Sequence, residues 1–324
     1  MARPPRRNAA RRNDGAGPRE EVGMRRMMGI VAAALVLAVG AQVAAAGDVA
    51  TIGAPQTIGD QLIFFYDARS GYTTFLTLRN ASGNELRVSI LFYGPTFSTP
   101  LSEAVTLSSG ALEIIDVGAL RGKGLPGQPG IAIATAVNLG GQPIVTRALT
   151  GSFTVANLAT GSALGTAAAA RAAYKDNGDP AQLGDVIDGS DKARLQNIRP
   201  RTAVLAAYYD PLTLAPIEEG GNQLVFINFE DDYHPPYGAT IGSTTWNLAA
   251  TRSNGAGISA TSFVATGVTV SDLASVAGTG VNGSAGSITF VAETDTPNLN
   301  RLVYFTEALG TFGTGYLLPQ LAPR

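Results

Sequence analysis

Cysteine is absent from this 324-residue chain, and histidine and tryptophan each occur once. Without cysteine there is no disulfide framework, no thiolate metal site, no iron–sulfur cluster, no thiol nucleophile and no lipid-modified cysteine anchor. The single histidine, His234, excludes a multi-histidine metal centre and leaves a serine–histidine pair only one candidate base. Charge is also scarce, at 15% of residues, beside 45% hydrophobic ones. That balance belongs to a chain that buries a core rather than to a disordered one. Long apolar runs are missing as well: Met28–Ala41 is about 14 residues, short of the roughly 20 a membrane-spanning helix needs.

What the N-terminus does hold is a basic segment, with Arg3, Arg6, Arg7, Arg11, Arg12, Arg19, Arg25 and Arg26 ahead of that apolar run and Ala44-Ala45-Ala46 behind it. This is the layout of a secretory signal peptide over residues 1–46, cleaved after Ala46. The stretch from Met24 forms a compact signal by itself, which makes Met24 a candidate true start. An uncleaved N-terminal anchor is the alternative, and the short run disfavours it. Cleavage removes eight of the 23 basic and three of the 25 acidic residues, leaving a net charge of −7. An acidic chain without a basic cluster is a poor nucleic-acid binder, because that affinity comes from Lys and Arg neutralising phosphates. The expected location is outside the cytoplasm, at the cell surface or in the extracellular space, with the periplasm as the nearer alternative, and no integral membrane segment remains after cleavage.

From residue 60 to 157 short strands alternate with turn residues. The clearest is 85–92, where Leu86, Val88, Ile90 and Phe92 alternate with Glu85, Arg87, Ser89 and Leu91, the period of a half-buried strand. Strands are expected around it at 62–67, 72–79, 103–107, 111–117, 131–138 and 143–155, all rich in β-branched and aromatic residues. The second half repeats this order. Phe65-Tyr66-Asp67 recurs as Tyr208-Tyr209-Asp210, YTTFLTLRN (72–80) as NQLVFINFE (222–230), and the 85–92 strand as 244–251. Gly127–Gly130 before IAIATAV is answered by Gly283–Gly286 before SITFVAE, and Ala148–Phe153 by Ala308–Phe312. Five matches in one order predict a tandem duplication.

With about seven strands per half, each half resembles an immunoglobulin-like sandwich of the kind found in bacterial secreted and surface proteins. Trp246 lies in the third strand, where such domains bury an aromatic residue, although both cysteines of antibody-type domains are missing. The resemblance implies an all-β chain of two tandem antiparallel β-sandwiches, at 47–157 and 201–324. Between them, residues 158–200 read as a linker with a short helix over Thr166–Lys175, since alanine has the highest helix propensity, followed by an acidic, turn-rich stretch; an elaborated loop packed across one sandwich is the alternative reading.

Two clusters could carry chemistry. Glu230-Asp231-Asp232-Tyr233-His234-Pro235-Pro236-Tyr237 combines carboxylates with aromatics around the lone histidine. It reads first as a hairpin loop, with Asp231, Asp232, Tyr233, His234 and Tyr237 as the candidate ligand-binding residues, for a glycan or a calcium ion. A carboxylate pair drawn from Glu230, Asp231 and Asp232 would be the glycosidase version. The second cluster, Asp176, Asp179, Asp185 and Asp188, has the Asp-and-Gly composition of calcium loops but not the spacing of the twelve-residue helix–loop–helix site. No catalytic residue is expected, because there is no G-x-S-x-G elbow, and the glycine-rich 278–283 stretch lacks the Lys-Ser/Thr of a phosphate loop. The composition points to a non-enzymatic exported structural or adhesive protein. A surface polymer, a glycan or a second copy is its expected partner, and calcium is the one cofactor its carboxylates admit. A carbohydrate-binding module is the alternative.

Overall fold

The computed structural model describes residues 58–159, 162–198, 202–205, 222–252, 257–272, 276, 286–293 and 299–307. The signal-peptide expectation, Tyr208-Tyr209-Asp210, the 278–283 stretch and Ala308–Phe312 lie outside them. In the first half the strands are β1 (Gln61–Asp67), β2 (Tyr72–Asn80), β3 (Leu86–Tyr93), β4 (Leu101–Leu107), β5 (Leu112–Asp116), β6 (Pro129–Val137) and β7 (Leu149–Asn157), with a 3-10 helix at Val117–Lys123. Next come β8 (Ser162–Ala167), β9 (Ala169–Arg171), β10 (Ala173–Tyr174) and β11 (Arg194–Leu195). The second half contributes β12 (Thr202–Leu205), β13 (Asn222–Asp232), β14 (Gly238–Ile241), β15 (Ser243–Arg252), β16 (Gly257–Thr266), β17 (Val268–Asp272), β18 (Gly286–Ala292) and β19 (Leu299–Glu307).

The architecture is an all-β sandwich of antiparallel sheets, as the alternating strand pattern predicts. In the first half, a sheet ordered β4-β3-β6-β1-β9 faces one ordered β5-β2-β7-β8. In the second, β12-β18-β15-β16 faces a sheet in which β13 pairs β19 on one side and β14 then β17 on the other. The orders correspond, β1-β6-β3-β4 with β12-β18-β15-β16 and β5-β2-β7 with β17-β13-β19. Backbone hydrogen bonds fix the register of that correspondence. Asn80 N donates to Ala111 O just before β5, and Asn228 N donates to Gly267 O just before β17. Asn80 therefore matches Asn228, and the alignment read from sequence for this strand is two residues out of step. The strand that pairs with β13 as β7 pairs with β2 is β19, at Leu299–Glu307.

The burial pattern follows from the layering. β2 alternates, burying Thr74, Leu76, Leu78 and Asn80 while Phe75, Thr77 and Arg79 stay at least partly exposed. Every residue of β1 is buried, as are Gly130–Ala136 of β6 and Leu224–Phe229 of β13. Strands buried on both faces read as continuous apolar runs. On β13, Val225, Ile227 and Phe229 share one buried cluster with β1, β3 and β6 of the first half. Phe226 turns the other way, packing on Trp246, Phe263 and Phe290 inside its own sandwich. Residues 51–324 accordingly form one compact unit.

The helix expected over Thr166–Lys175 is absent; the segment is strand. β8 extends the β5-β2-β7 sheet, β9 pairs with β1 of the other sheet, and β10 pairs with β11. Alanine's advantage in a helix is less than about 1 kcal/mol per residue over ordinary residues, and here burial and ladder hydrogen bonds outweigh it. Ala168, Ala170 and Ala173 are buried. The chain passes so near Gly59 that a Cβ there would overlap the Arg171 backbone, a closeness only glycine allows at that position.

Candidate functional site

The Glu230–Tyr237 cluster lies on a β-hairpin built from the end of β13 and β14, paired from Phe229 with Ile241 to Asp232 with Gly238. Asp232 makes the tight turn, accepting from His234 N at 2.9 Å and meeting His234 Nδ1 at 3.0 Å. His234 is 94% exposed at the tip. Asp231 points the opposite way, as consecutive strand residues must, and enters the interior.

There it meets Arg171 of β9. Arg171 Nη1 and Nη2 donate to Asp231 Oδ1 and Oδ2 at 2.7 and 2.6 Å. Nη1 also donates to Gln61 Oε1 at 2.7 Å, and Nε to Gln196 O at 2.8 Å. The pair is removed from water, the two side chains being 1% and 9% exposed. Burial alone would lower the Arg171 pKa, but the facing Asp231 carboxylate raises it and holds the guanidinium charged. The guanidinium carbon sits 5.8 Å from the centre of the Phe229 ring, within cation–π range. Gln61 is held in turn by donating from Nε2 to Thr135 Oγ1 at 3.1 Å.

Tyr233 and Tyr93 complete the arrangement. The Tyr233 hydroxyl accepts from Leu195 N at 3.0 Å, and its ring packs directly over Gly189, where a Cβ would lie within 3.0 Å of three ring carbons. Burial, with a further push from the Asp231 charge, raises the Tyr233 hydroxyl to about 12. From the first half, the Tyr93 hydroxyl accepts from Ala239 N at 3.1 Å. Burial chiefly raises its pKa too. Gly238 is required beside it, since any Cβ there would overlap that hydroxyl. Tyr93 stacks on Phe97 at 5.3 Å, and Phe97 on Phe229 at 6.0 Å. Thus Asp231 and Tyr233 face inward, Asp232 and His234 stay at the tip, and Tyr237 adopts a left-handed backbone (φ 56°) closing the turn. Asp231 and Asp232 project to opposite faces, an arrangement that does not place them on either side of one scissile bond.

The other acidic residues are turn makers. Asp176 pairs with Arg194, which also lies 3.6 Å from Asp191. Asp179 accepts from Asn177 Nδ2, Asp185 from Gln182 N, and Asp188 from Ser190 N. Hydrogen bonds from Ser190 hold the Asp188 carboxyl below its usual range. Among the described residues, no group of three or more His, Cys, Asp or Glu is placed to hold a metal ion.

Sequence reasoning missed three participants. Arg171 is a lone charge inside an alanine run, and that isolation was the available signal. Gln61 is the first residue of β1 and Asp60 immediately precedes it. Asp60 is wholly buried, its Oδ1 accepting from Thr146 N and Arg147 N at 2.6 Å each and its Oδ2 from Ala173 N at 2.7 Å. It ties the end of the first sandwich to the segment that carries Arg171. No helix of the described residues is long and apolar enough to cross a membrane. No family model matches the chain, and no curated protein matches it.

Proposed function

We propose that the chain is a non-enzymatic exported scaffold, a structural or adhesive protein whose stacked β-sandwiches hold turns against a partner at the cell surface. The observation that carries this reading is the fate of the Glu230–Tyr237 cluster. Its most chemically capable carboxylate, Asp231, and its half-buried Tyr233 are used as joints between elements, while the exposed tip is a short turn with Pro235, Pro236 and His234. A rigid framework with exposed loops is the arrangement that display functions use. Export rests on the basic segment, apolar run and Ala44-Ala45-Ala46 of the N-terminus. Light scattering on a sizing column with residues 47–324, run with calcium and then with chelator, paired with pull-down on cell-surface polysaccharide, tests the proposal. Assembly or polymer capture is expected. A monomer that captures no polymer in either condition overturns it.

A further inference from the structure

The geometry points to the hairpin Phe229–Gly242 as a clasp that makes the two sandwiches one cooperative unit. This inference does not depend on what the scaffold displays. It begins with a length difference. In the first half, five residues, 81–85, connect Asn80 to β3. In the second half, fourteen residues, 229–242, separate the matching Asn228 from β15. The extra length is not a loose loop. Its base closes on the body of the sheet, with Gly242 N donating to Asn228 O at 3.0 Å and Gly267 N to Gly242 O at 2.8 Å.

Beyond that base, four residues of the hairpin reach segments that precede the second half of the chain. Asp231 takes both arms of Arg171 on β9. Ala239 donates to Tyr93 on β3. Phe229 stacks on Phe97, in the loop after β3, and Tyr233 accepts from Leu195 on β11. Three elements of the first half, β3, the loop after it and β9, are gripped by one insertion of the second, together with β11 of the segment between the halves. The β2–β3 turn of the first half has the corresponding place in its own sandwich but closes locally: Ser82 and Asn84 bond to Asn80 and to each other.

The chemistry of the grip is directional as well as adhesive. An apolar face tolerates sliding, whereas a bidentate guanidinium–carboxylate pair has one geometry. Once buried, neither partner can be left alone without a large penalty. Opening one sandwich while the other stays folded would break the Arg171–Asp231 pair and expose the Val225–Ile227–Phe229 face, so local opening of either half is suppressed until both give way.

Trp246, the only tryptophan and fully buried against Phe226 in the second sandwich, supplies a probe of that half alone. In the full chain, guanidinium unfolding followed by Trp246 emission and by far-UV circular dichroism should give coincident midpoints. In Asp231→Asn, and in a chain whose residues 229–242 are replaced by the 81–85 turn, the Trp246 midpoint should fall below the dichroism midpoint by more than the width of either transition. If Asp231→Asn cannot be recovered folded, Tyr93→Phe combined with Tyr233→Phe removes two hydroxyl acceptors while leaving packing in place, and the same separation is expected. Coincident midpoints in the clasp variants that fold would overturn the inference.

Discussion

At the scale of single residues, the molecule shows how burial decides what a polar group can do. The Asp231 carboxylate holds the buried Arg171 guanidinium charged, and removing one partner of such a buried pair costs about 3–5 kcal/mol. Tyr233 is the pH-sensitive member of the group. Its folded pKa, about 12, stands above the unfolded value of 10.0 because burial and the Asp231 charge disfavour the phenolate. For a group whose pKa is raised on folding, the linked stability is fully present below the unfolded pKa and is lost as pH rises through the folded one. Stability should therefore fall between pH 10 and pH 12. Tyr66, Tyr93 and Tyr304, also raised by burial, add to the same decline. Tyr233→Phe should be somewhat less stable at neutral pH, losing the hydrogen bond from Leu195 N and the longer one to Asp231 Oδ2, each worth about 1 kcal/mol or less, yet should lose less stability over that alkaline window. Denaturant midpoints measured at intervals from pH 8 upward give the comparison. Equal alkaline slopes in both proteins would show that Tyr233 titrates as freely in the fold as in the unfolded chain.

At the scale of elements, the alanine-rich segment is the instructive case. Ala167 ends β8, paired with Ser152 and only partly buried. A β-branched residue there should suit the sheet, so Ala167→Thr should leave stability unchanged or raise it by up to about 1 kcal/mol. In a helix the same change would destabilise. A thermal scan of that variant, with a far-UV spectrum free of helical bands, checks the strand assignment, and a clear loss of stability would contradict it. The first-half strands were legible because each pairs a β-branched or aromatic face with a turn signal, as in Leu86–Phe92. The helix expectation failed because propensity weighs only local free energy, while Ala168 and Ala170 are placed by what packs on them. The clasp was half legible. An acidic–aromatic hairpin stands out in the sequence, but its partner Arg171 is 60 residues away, and only the register of β1 with β9 and β13 with β14 brings them together.

At the scale of the whole molecule, the same sheet type appears in two environments. The β5-β2-β7-β8 sheet presents one face to water, whereas the β13 sheet is covered on both faces. Matched positions show the exchange of residue type that this requires: Thr77 and Arg79 on β2 correspond to the buried Val225 and Ile227 on β13. At roughly 25 cal/mol per Å² of apolar surface, those substitutions put the driving force for packing at the junction between the halves and a soluble surface at the outer end. Local opening should then be ordered by layer rather than by position in the chain. Amide hydrogen exchange should be slowest in β1, Gly130–Ala136 of β6 and Leu224–Phe229 of β13, which are buried on both faces, and early in β5, of which Leu112, Glu113, Ile114 and Asp116 are all exposed. Exchange in β13 should also accelerate in Asp231→Asn, because its end is held by that carboxylate. Protection in β13 no greater than in β5 would mean that the second sandwich opens independently, and the buried face it shares with the first would have to separate on the same timescale as an exposed edge.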